Sequence, residues 1–415
     1  MLFRSMANEP TFNPNALRLS QESERRNRAV QDIYEPGSTF KVVTASAALE
    51  EKVVGLQDPI DVSAGSIRFG ARSIEDIHNY GVLSFTDVIV KSSNVGAIKI
   101  GLRLGPERLN RYVSRFGFGR PLSPDFPGES PGIVWNPARL DDSALASVSM
   151  GYQVGVTALQ MAAAVSSVAN GGELFEPRVV RAIVRDGKRA AVKPKVIRRT
   201  VSADTAAALT TIMEQVVERG TAKSAQMEGF TVAGKTGTAA KLIAGRYSKS
   251  DYNASFVGFV PSRDPAVTIV VVIDAPHAGG YFGGTVAAPV FKKIAEPTLR
   301  HLGIGRTIDP ISPVLIARHV PEHEFPTSAP VGPPTIVTVA GAGNADAELV
   351  PDLRGLSARD ALSTLSKLGM AGQLVGVGFV VAQDPTPGVP VERGRWCRLS
   401  LERQMQRDPT SGPQP

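Results

Sequence analysis

Glu35-Pro36-Gly37-Ser38-Thr39-Phe40-Lys41 is the stretch on which the reading of this chain turns. Pro-Gly marks a turn, and the small apolar run behind it, Val42 to Leu49, is suited to a helix. Ser38 then falls at a helix N-terminus, with Lys41 one turn later on the same face. Residues three apart on a helix are neighbours, about 5–6 Å between Cβ atoms. A hydroxyl and an amine so placed suit a nucleophile and its proton acceptor. The start of a helix also offers free N–H groups and a positive dipole end, both suited to a developing oxyanion. The same residues equally make an ordinary capped helix, since Ser is a common N-cap and Lys a common exposed helix residue. Ser-x-x-Lys alone decides nothing.

The 415 residues are enough for two or three domains. Hydrophobic residues at 42% and charged residues at 20% describe a globular chain with a real core. The net charge of +7 is modest, and no long Lys/Arg block points to nucleic acid. A weak affinity for an anionic membrane surface or a cell-wall polymer fits it equally well. The single cysteine, Cys397, excludes an internal disulfide and a Cys-rich metal site. The five histidines show no His-Glu-x-x-His spacing, so neither a metal nor another cofactor is expected. The closest pair, His319 and His323, lies in a Pro-rich stretch. The start, Met1 to Met6, has no long apolar core, and Val267 to Ile273 is too short to span a bilayer. As written, the chain reads as soluble.

Outward from the opening motif, residues 56–69 suggest short strands. Ser84-Phe85-Thr86-Asp87 starts a helix in the manner of a capping box. That helix ends near Lys91-Ser92-Ser93-Asn94, and a second helical pattern runs from Val95 to Leu104. Residues 105–140, rich in Gly and Pro, read as irregular. Leu145 to Asn170 reads as a buried loop and then a packed helix. Short β segments are expected around Val179-Val180 and Ala182 to Val184, and an amphipathic helix from Ser202 to Arg219. Strand candidates follow at Thr231 to Ala233, Ala254 to Val260 and Val267 to Ile273, with a covering helix from about Val286 to Leu302. Helical blocks with a mostly antiparallel sheet make the class α+β. Residues 306–346, punctuated by prolines, read as an extended linker. A small unit then begins at Val350, with a helix capped at Ser357 whose inner face is Ala361, Leu362, Leu365 and Leu368. Strands follow at Phe379 to Gln383 and Cys397 to Leu401, and the tail from Gln404 is polar.

Two further polar clusters complete the pattern: Ser92-Ser93-Asn94 between two helices, and Lys235-Thr236-Gly237-Thr238 at the end of a strand pattern. Alone, the first is a cap or turn and the second a strand boundary. In this order, Ser-x-x-Lys, Ser-x-Asn and Lys-Thr-Gly form the motif set of penicillin-binding proteins and serine β-lactamases. Tyr34 to Lys41 resembles the nucleophile segment of class B penicillin-binding proteins. Ser149-Met150-Gly151-Tyr152-Gln153-Val154-Gly155-Val156-Thr157 and Ala233 to Ala239 resemble two more of its segments. The resemblance runs from about Met6 to Leu302 and is closest to the transpeptidase domain of the division or sporulation type. Residues 347–404 resemble a single PASTA module. One competing pattern is Gly229 to Thr236, which fits the Walker A letters. A phosphate loop, however, needs a strand before its first Gly and a helix right after its Lys-Thr. Here the β-prone residues lie inside the loop and Gly237 follows at once.

The resemblance implies a penicillin-binding/β-lactamase-like transpeptidase domain over residues 1–305: an antiparallel sheet flanked by helices, plus a helical lobe. A linker at 306–346, the PASTA module at 347–404 and a disordered tail at 405–415 would follow. It implies that Ser38 attacks the penultimate D-Ala carbonyl of a peptidoglycan stem peptide, with Lys41 as base. Ser92 and Lys235 would relay the proton to the departing D-Ala, and Asn94 would orient the substrate amide. Lys235, Thr236 and Thr238 would hold the terminal carboxylate, with Ser93 and Gly237 among the substrate contacts. The N–H groups of Ser38 and Thr238 would form the oxyanion hole. An amine on a neighbouring stem peptide would resolve the acyl-enzyme into a cross-link, and a β-lactam would acylate the same serine. A D,D-carboxypeptidase and a non-catalytic penicillin-binding sensor or scaffold share these motifs. A class A β-lactamase needs Glu-x-x-Leu-Asn, which Pro106-Glu107-Arg108-Leu109-Asn110 misses by one place. The family acts on the extracytoplasmic face of the bacterial membrane, works with a separate glycan polymerase and with division or elongation proteins, and carries an anchor and a pedestal ahead of this domain. Neither precedes it here, which reads as an N-terminal truncation.

Overall fold

A computed structural model describes residues 5–307, 349–376, 379–392 and 395–402. Nearly all of the Pro-rich stretch, His319 and His323, and the polar tail lie outside these residues. The chain divides into two compact units, residues 1–315 and 316–415.

In the first unit, a 3₁₀ turn over Gly37–Phe40 leads into α1 (Lys41–Glu50). Lys41 to Ala48 are all buried. A helix of small, apolar residues on every side belongs in the middle of a domain rather than at its surface. Its hydroxyls are satisfied there: Thr44 Oγ1 donates to the Ser149 carbonyl at 3.0 Å and Ser46 Oγ to the Val42 carbonyl at 2.6 Å. Helices α2 (Phe85–Lys91) and α3 (Asn94–Leu104) pack around α1. Ser84 caps α2 by accepting the Asp87 N–H, as its sequence suggests.

Residues 105–140 open not with an irregular stretch but with helix α4 (Pro106–Arg115). Gly105, at φ 76°, makes the break, and Pro106 takes the first helical position, where its missing N–H is no loss. Leu109, Tyr112 and Val113 then form a buried stripe. The composition of a loop was here the composition of a helix start.

The buried loop expected from Leu145 is likewise helical, as α5 (Asp142–Met150). Gly151 ends it in the left-handed region at φ 86°, where the backbone passes against the Gly37–Phe40 turn. The Gly37 N–H donates to the Gly151 carbonyl at 3.0 Å. A Cβ on Gly151 would strike the Gly37 carbonyl oxygen and lie 2.7 Å from the Phe40 Cβ. Gly151→Ala is therefore expected to destabilise the unit by about 2–4 kcal/mol, the left-handed penalty plus overpacking. Calorimetry checks this, with the melting temperature falling.

Helix α6 (Ala158–Ala169) carries a capping box between Thr157 and Gln160. A two-stranded hairpin follows, β1 (Ala182–Arg185) and β2 (Lys188–Ala191). Val179 and Val180, expected in a strand, lie just before it, with their N–H groups on Asp125 Oδ2. Helix α7 (Ala203–Glu218) begins at its Ser202 cap. The main sheet is β3 (Ala233–Ile243), β4 (Arg246–Val260) and β5 (Val267–Asp274), all antiparallel in the order β5-β4-β3. Ala244 and Gly245, both at positive φ, form the two-residue turn between β3 and β4. Lys235 to Thr238 lie well inside β3 rather than at its end. The strand continues to Ile243, so no helix follows Lys235-Thr236 and the Walker A reading fails on geometry. Helix α8 (Ala288–His301) covers the sheet, with Phe291 edge-on to Phe256 at 4.8 Å.

Among the described residues, the second unit is one helix on a three-stranded sheet. Helix α9 (Ala358–Lys367) starts at its Ser357 cap. Strands β6 (Ala371–Gly376), β7 (Phe379–Asp384) and β8 (Trp396–Glu402) lie in the order β6-β8-β7, with β6 parallel and β7 antiparallel to β8. Ala361 and Leu365 of α9 meet Cys397 and Leu399 of β8 in its core. Strand β6 escaped the sequence reading because two of its six residues are glycine.

Candidate active site

Three elements converge: the Gly37–Phe40 turn, the α2–α3 junction and strand β3. From Pro36 to Ala48 every residue is buried except Ser38. The turn thus presents one hydroxyl from an otherwise sealed segment. Gly237 lets β3 lie against this turn: a Cβ there would sit 2.8 Å from the Pro36 carbonyl oxygen and 3.0 Å from Thr39 Cγ2.

Lys41 and Lys235 are both fully buried. Lys41 Nζ donates to the Ser92 carbonyl at 2.7 Å and to Asn94 Oδ1 at 2.9 Å, and lies 3.4 Å from Ser92 Oγ. Lys235 Nζ donates to the same Ser92 Oγ at 2.9 Å and to the Thr236 carbonyl at 3.3 Å. Two amines from distant parts of the chain therefore meet on one hydroxyl. Burial disfavours their charged forms. It brings Lys41 down to about 7, against the opposing pull of Asp76. Burial, and then the nearby Lys41, hold Lys235 well below the ordinary lysine range. The Ser38 hydroxyl and the Lys41 amine are not hydrogen-bonded to each other, because the amine reaches across to the Ser92–Asn94 turn.

That turn is held in an unusual shape. Ser92 closes α2 in the left-handed region at φ 61°, uncommon for a non-glycine residue. Ser93 then caps α3, its Oγ accepting the Gly96 N–H at 2.9 Å and donating to Asp76 Oδ2 at 2.6 Å. This corrects the expectation that Ser93 contacts substrate: it is 1% exposed, and its hydroxyl is fully engaged inside the protein. Asn94 Nδ2 donates to the Glu75 carbonyl at 3.1 Å, so both ends of its amide have protein partners. Asp76 is the residue the sequence reading missed. Its Oδ1 accepts the N–H groups of Asn94 and, at 3.1 Å, of Val95, placing a carboxylate on the first turn of α3. An isolated Asp among Glu75, Ile77 and His78 carries no motif, and only the fold brings it to this turn.

On β3, Thr236 Oγ1 pairs with Thr221 Oγ1 at 2.6 Å, and Thr238 Oγ1 accepts the Gly283 N–H at 3.0 Å. A hydroxyl that accepts an N–H keeps its own proton to donate. Gly283 must be glycine, since a Cβ would strike the Gly237 and Ser255 carbonyl oxygens. Just before it, Tyr281 stacks on Tyr252 at 4.3 Å and lies 4.5 Å from Phe282. This half-exposed aromatic shelf beside Thr238 was also absent from the sequence reading.

Comparison with known proteins agrees with this geometry. The model of the "Penicillin binding protein transpeptidase domain" matches residues 3–296, and that of the PASTA domain matches residues 349–395. The chain is 31% identical to stage V sporulation protein D of Bacillus subtilis over 414 residues, covering 97% of this chain and 59% of that protein. It is 37% identical over 302 residues to a probable peptidoglycan D,D-transpeptidase, PbpC, of Pseudomonas aeruginosa, covering 72% of this chain and 52% of that protein. The chain thus spans between half and three-fifths of the length of these relatives. The solved structure of penicillin-binding protein 3 from Mycobacterium tuberculosis, complexed with ampicillin, superposes with a TM-score of 0.64 at 33% identity, covering 71% of this chain and 68% of that one. Three motifs gathered around the half-buried Ser92, on the fold of these relatives and followed by a PASTA domain, show that the chain belongs to the penicillin-binding protein transpeptidase family, class B.

Proposed function

We propose that this protein is a peptidoglycan D,D-transpeptidase that works through an acyl-enzyme on Ser38. The observation that supports this most is the meeting of two buried lysines on Ser92. A neutral Lys41 has two N–H donors and one lone pair. The donors go to the Ser92 carbonyl and Asn94 Oδ1, which leaves the lone pair for the Ser38 proton. Ser38 Oγ attacks the penultimate D-Ala carbonyl, and its proton passes to Lys41. The N–H groups of Ser38 and Thr238 receive the oxyanion. As the C–N bond breaks, the departing D-Ala nitrogen takes a proton from Ser92, which recovers one from Lys41 through the hydroxyl that Lys235 also contacts. Thr238, Thr236 and Lys235 bind the terminal carboxylate. An acceptor amine then attacks the ester, forms the new amide and returns the proton to Ser38. A β-lactam enters the same sequence at the first step. By the family resemblance we further propose an extracytoplasmic site of action, with a separate glycan polymerase and division or elongation proteins as partners. Among the described residues no helix is long and apolar enough to cross a membrane.

The test is turnover of a stem peptide ending in D-Ala-D-Ala, with and without an amine acceptor. Release of D-Ala together with an amide product is expected. Hydrolysis alone would make the protein a carboxypeptidase. Penicillin labelling without any turnover would make it a sensor.

A further inference from the structure

The net charge of +7 is not spread over the molecule. Residues 178–199 hold nine of its 46 lysines and arginines and one of its 39 carboxylates, so this stretch alone accounts for the excess. At its base the charges are neutralised: Glu176 pairs with Arg178 and Lys195, and Glu173 with Arg199. Farther out, Arg181, Arg185, Lys188, Arg189 and Lys193 are exposed, and among the described residues they form no ion pair. They ride on the β1–β2 hairpin, which pairs with no other strand and is exposed on both faces apart from half-buried Ala182. Ile183 and Val184 point into solvent on it, 55% and 68% exposed. A two-stranded ribbon that buries neither face is marginal in water by itself.

We infer that this hairpin is a docking element for an anionic lipid surface. Near its tip, behind the Asp186-Gly187 turn, Ile183 lies on one face with Arg185 and Lys188, and Val184 on the other with Arg189. The aliphatic pair suits the boundary between headgroups and acyl chains, and the cations suit lipid phosphates. A nucleic-acid strand fits less well, because residues 178–199 contain no aromatic ring on which a base could stack. A purely polar polyanion would leave Ile183 and Val184 in water. Arg and Lys along both free edges also oppose pairing with a further strand.

The whole chain should co-sediment with vesicles of phosphatidylethanolamine containing about one-third phosphatidylglycerol, and not with phosphatidylcholine vesicles. Binding should weaken as salt rises from about 50 to 300 mM. Arg185→Glu, Lys188→Glu and Arg189→Glu together should reduce binding by at least roughly tenfold, with penicillin labelling unchanged as proof of an intact fold. Ile183→Ser with Val184→Ser should also weaken it, which adsorption by charge alone would not show. Unchanged binding of the triple-Glu chain overturns the inference. So does binding to soluble polyglutamate with none to the anionic vesicles, which assigns the hairpin to an acidic protein or polymer instead. None of these outcomes depends on turnover at Ser38.

Discussion

Ser38→Ala is expected to lose covalent labelling by a fluorescent penicillin altogether, and Lys41→Met to slow it by about 10²–10⁴-fold, the usual contribution of a positioned base. Equal labelling of wild type and Ser38→Ala would sink the assignment. The lysine effect carries a pH signature. Burial brings Lys41 to about 7, so its neutral form grows in as pH rises through that value. The acylation rate of the wild type should climb through the same range, and Lys41→Met should flatten the profile. Stability moves with it. Lys41 binds its proton more weakly folded than unfolded, where the value is 10.5. Its contribution is therefore most unfavourable below about 7 and fades as pH rises towards the unfolded value. A shift of that size corresponds to about 5 kcal/mol, less the two hydrogen bonds to Ser92 and Asn94. Lys41→Met should thus melt higher than wild type at neutral pH although it is nearly inactive. Thermal melts at pH 6, 7 and 9 check this, and the gap between the two proteins should narrow at the highest pH. A lower melting temperature for Lys41→Met at pH 6 would show that burial of the amine is not what lowers its affinity for protons.

The three motifs and their order were legible because they are written in short local patterns, and the fold brings them together. So was the α+β class, since the apolar run at Val267 to Ile273 and the amphipathic run at Ser202 to Arg219 have clear periods. Helix α4 was not, because Gly105-Pro106 looks the same whether it breaks a chain or begins a helix. Its stripe of Leu109, Tyr112 and Val113 was the signal that position, rather than composition, would have given. The roles within Ser92-Ser93-Asn94 were not legible either. Sequence shows three polar residues side by side. The fold turns Ser92 into the cleft through a left-handed backbone, and turns Ser93 inward as a cap. Partners drawn from far along the chain, such as Thr221 to Thr236 or Gly283 to Thr238, follow from strand β3 lying between two loops, and no local pattern encodes that.

Asp76→Asn is expected to slow acylation by about 10-fold to 100-fold, through loss of order in a catalytic turn. Asp76 need not meet substrate for this. Its carboxylate receives the Ser93 hydroxyl and the N–H groups of Asn94 and Val95. These fix the first turn of α3, and with it the Ser92 carbonyl and Asn94 Oδ1 that hold the Lys41 amine. Asn preserves the size but exchanges a charged acceptor for a neutral one, at about 1–3 kcal/mol for bonds of this type. A purely structural role would lower the melting temperature and the rate together and leave the pH profile in place. Asp76 does more, because its negative charge favours the protonated form of Lys41 and opposes the effect of burial. Removing that charge should lower the proton affinity of Lys41 further, so the midpoint of the acylation profile should move below its wild-type position near pH 7. Asp76→Glu, which keeps the charge but displaces it, should restore the midpoint better than it restores the rate. A midpoint that stays where it is in Asp76→Asn would reduce Asp76 to a helix cap. A shift to lower pH would make it the group that sets how readily Lys41 takes the proton of Ser38.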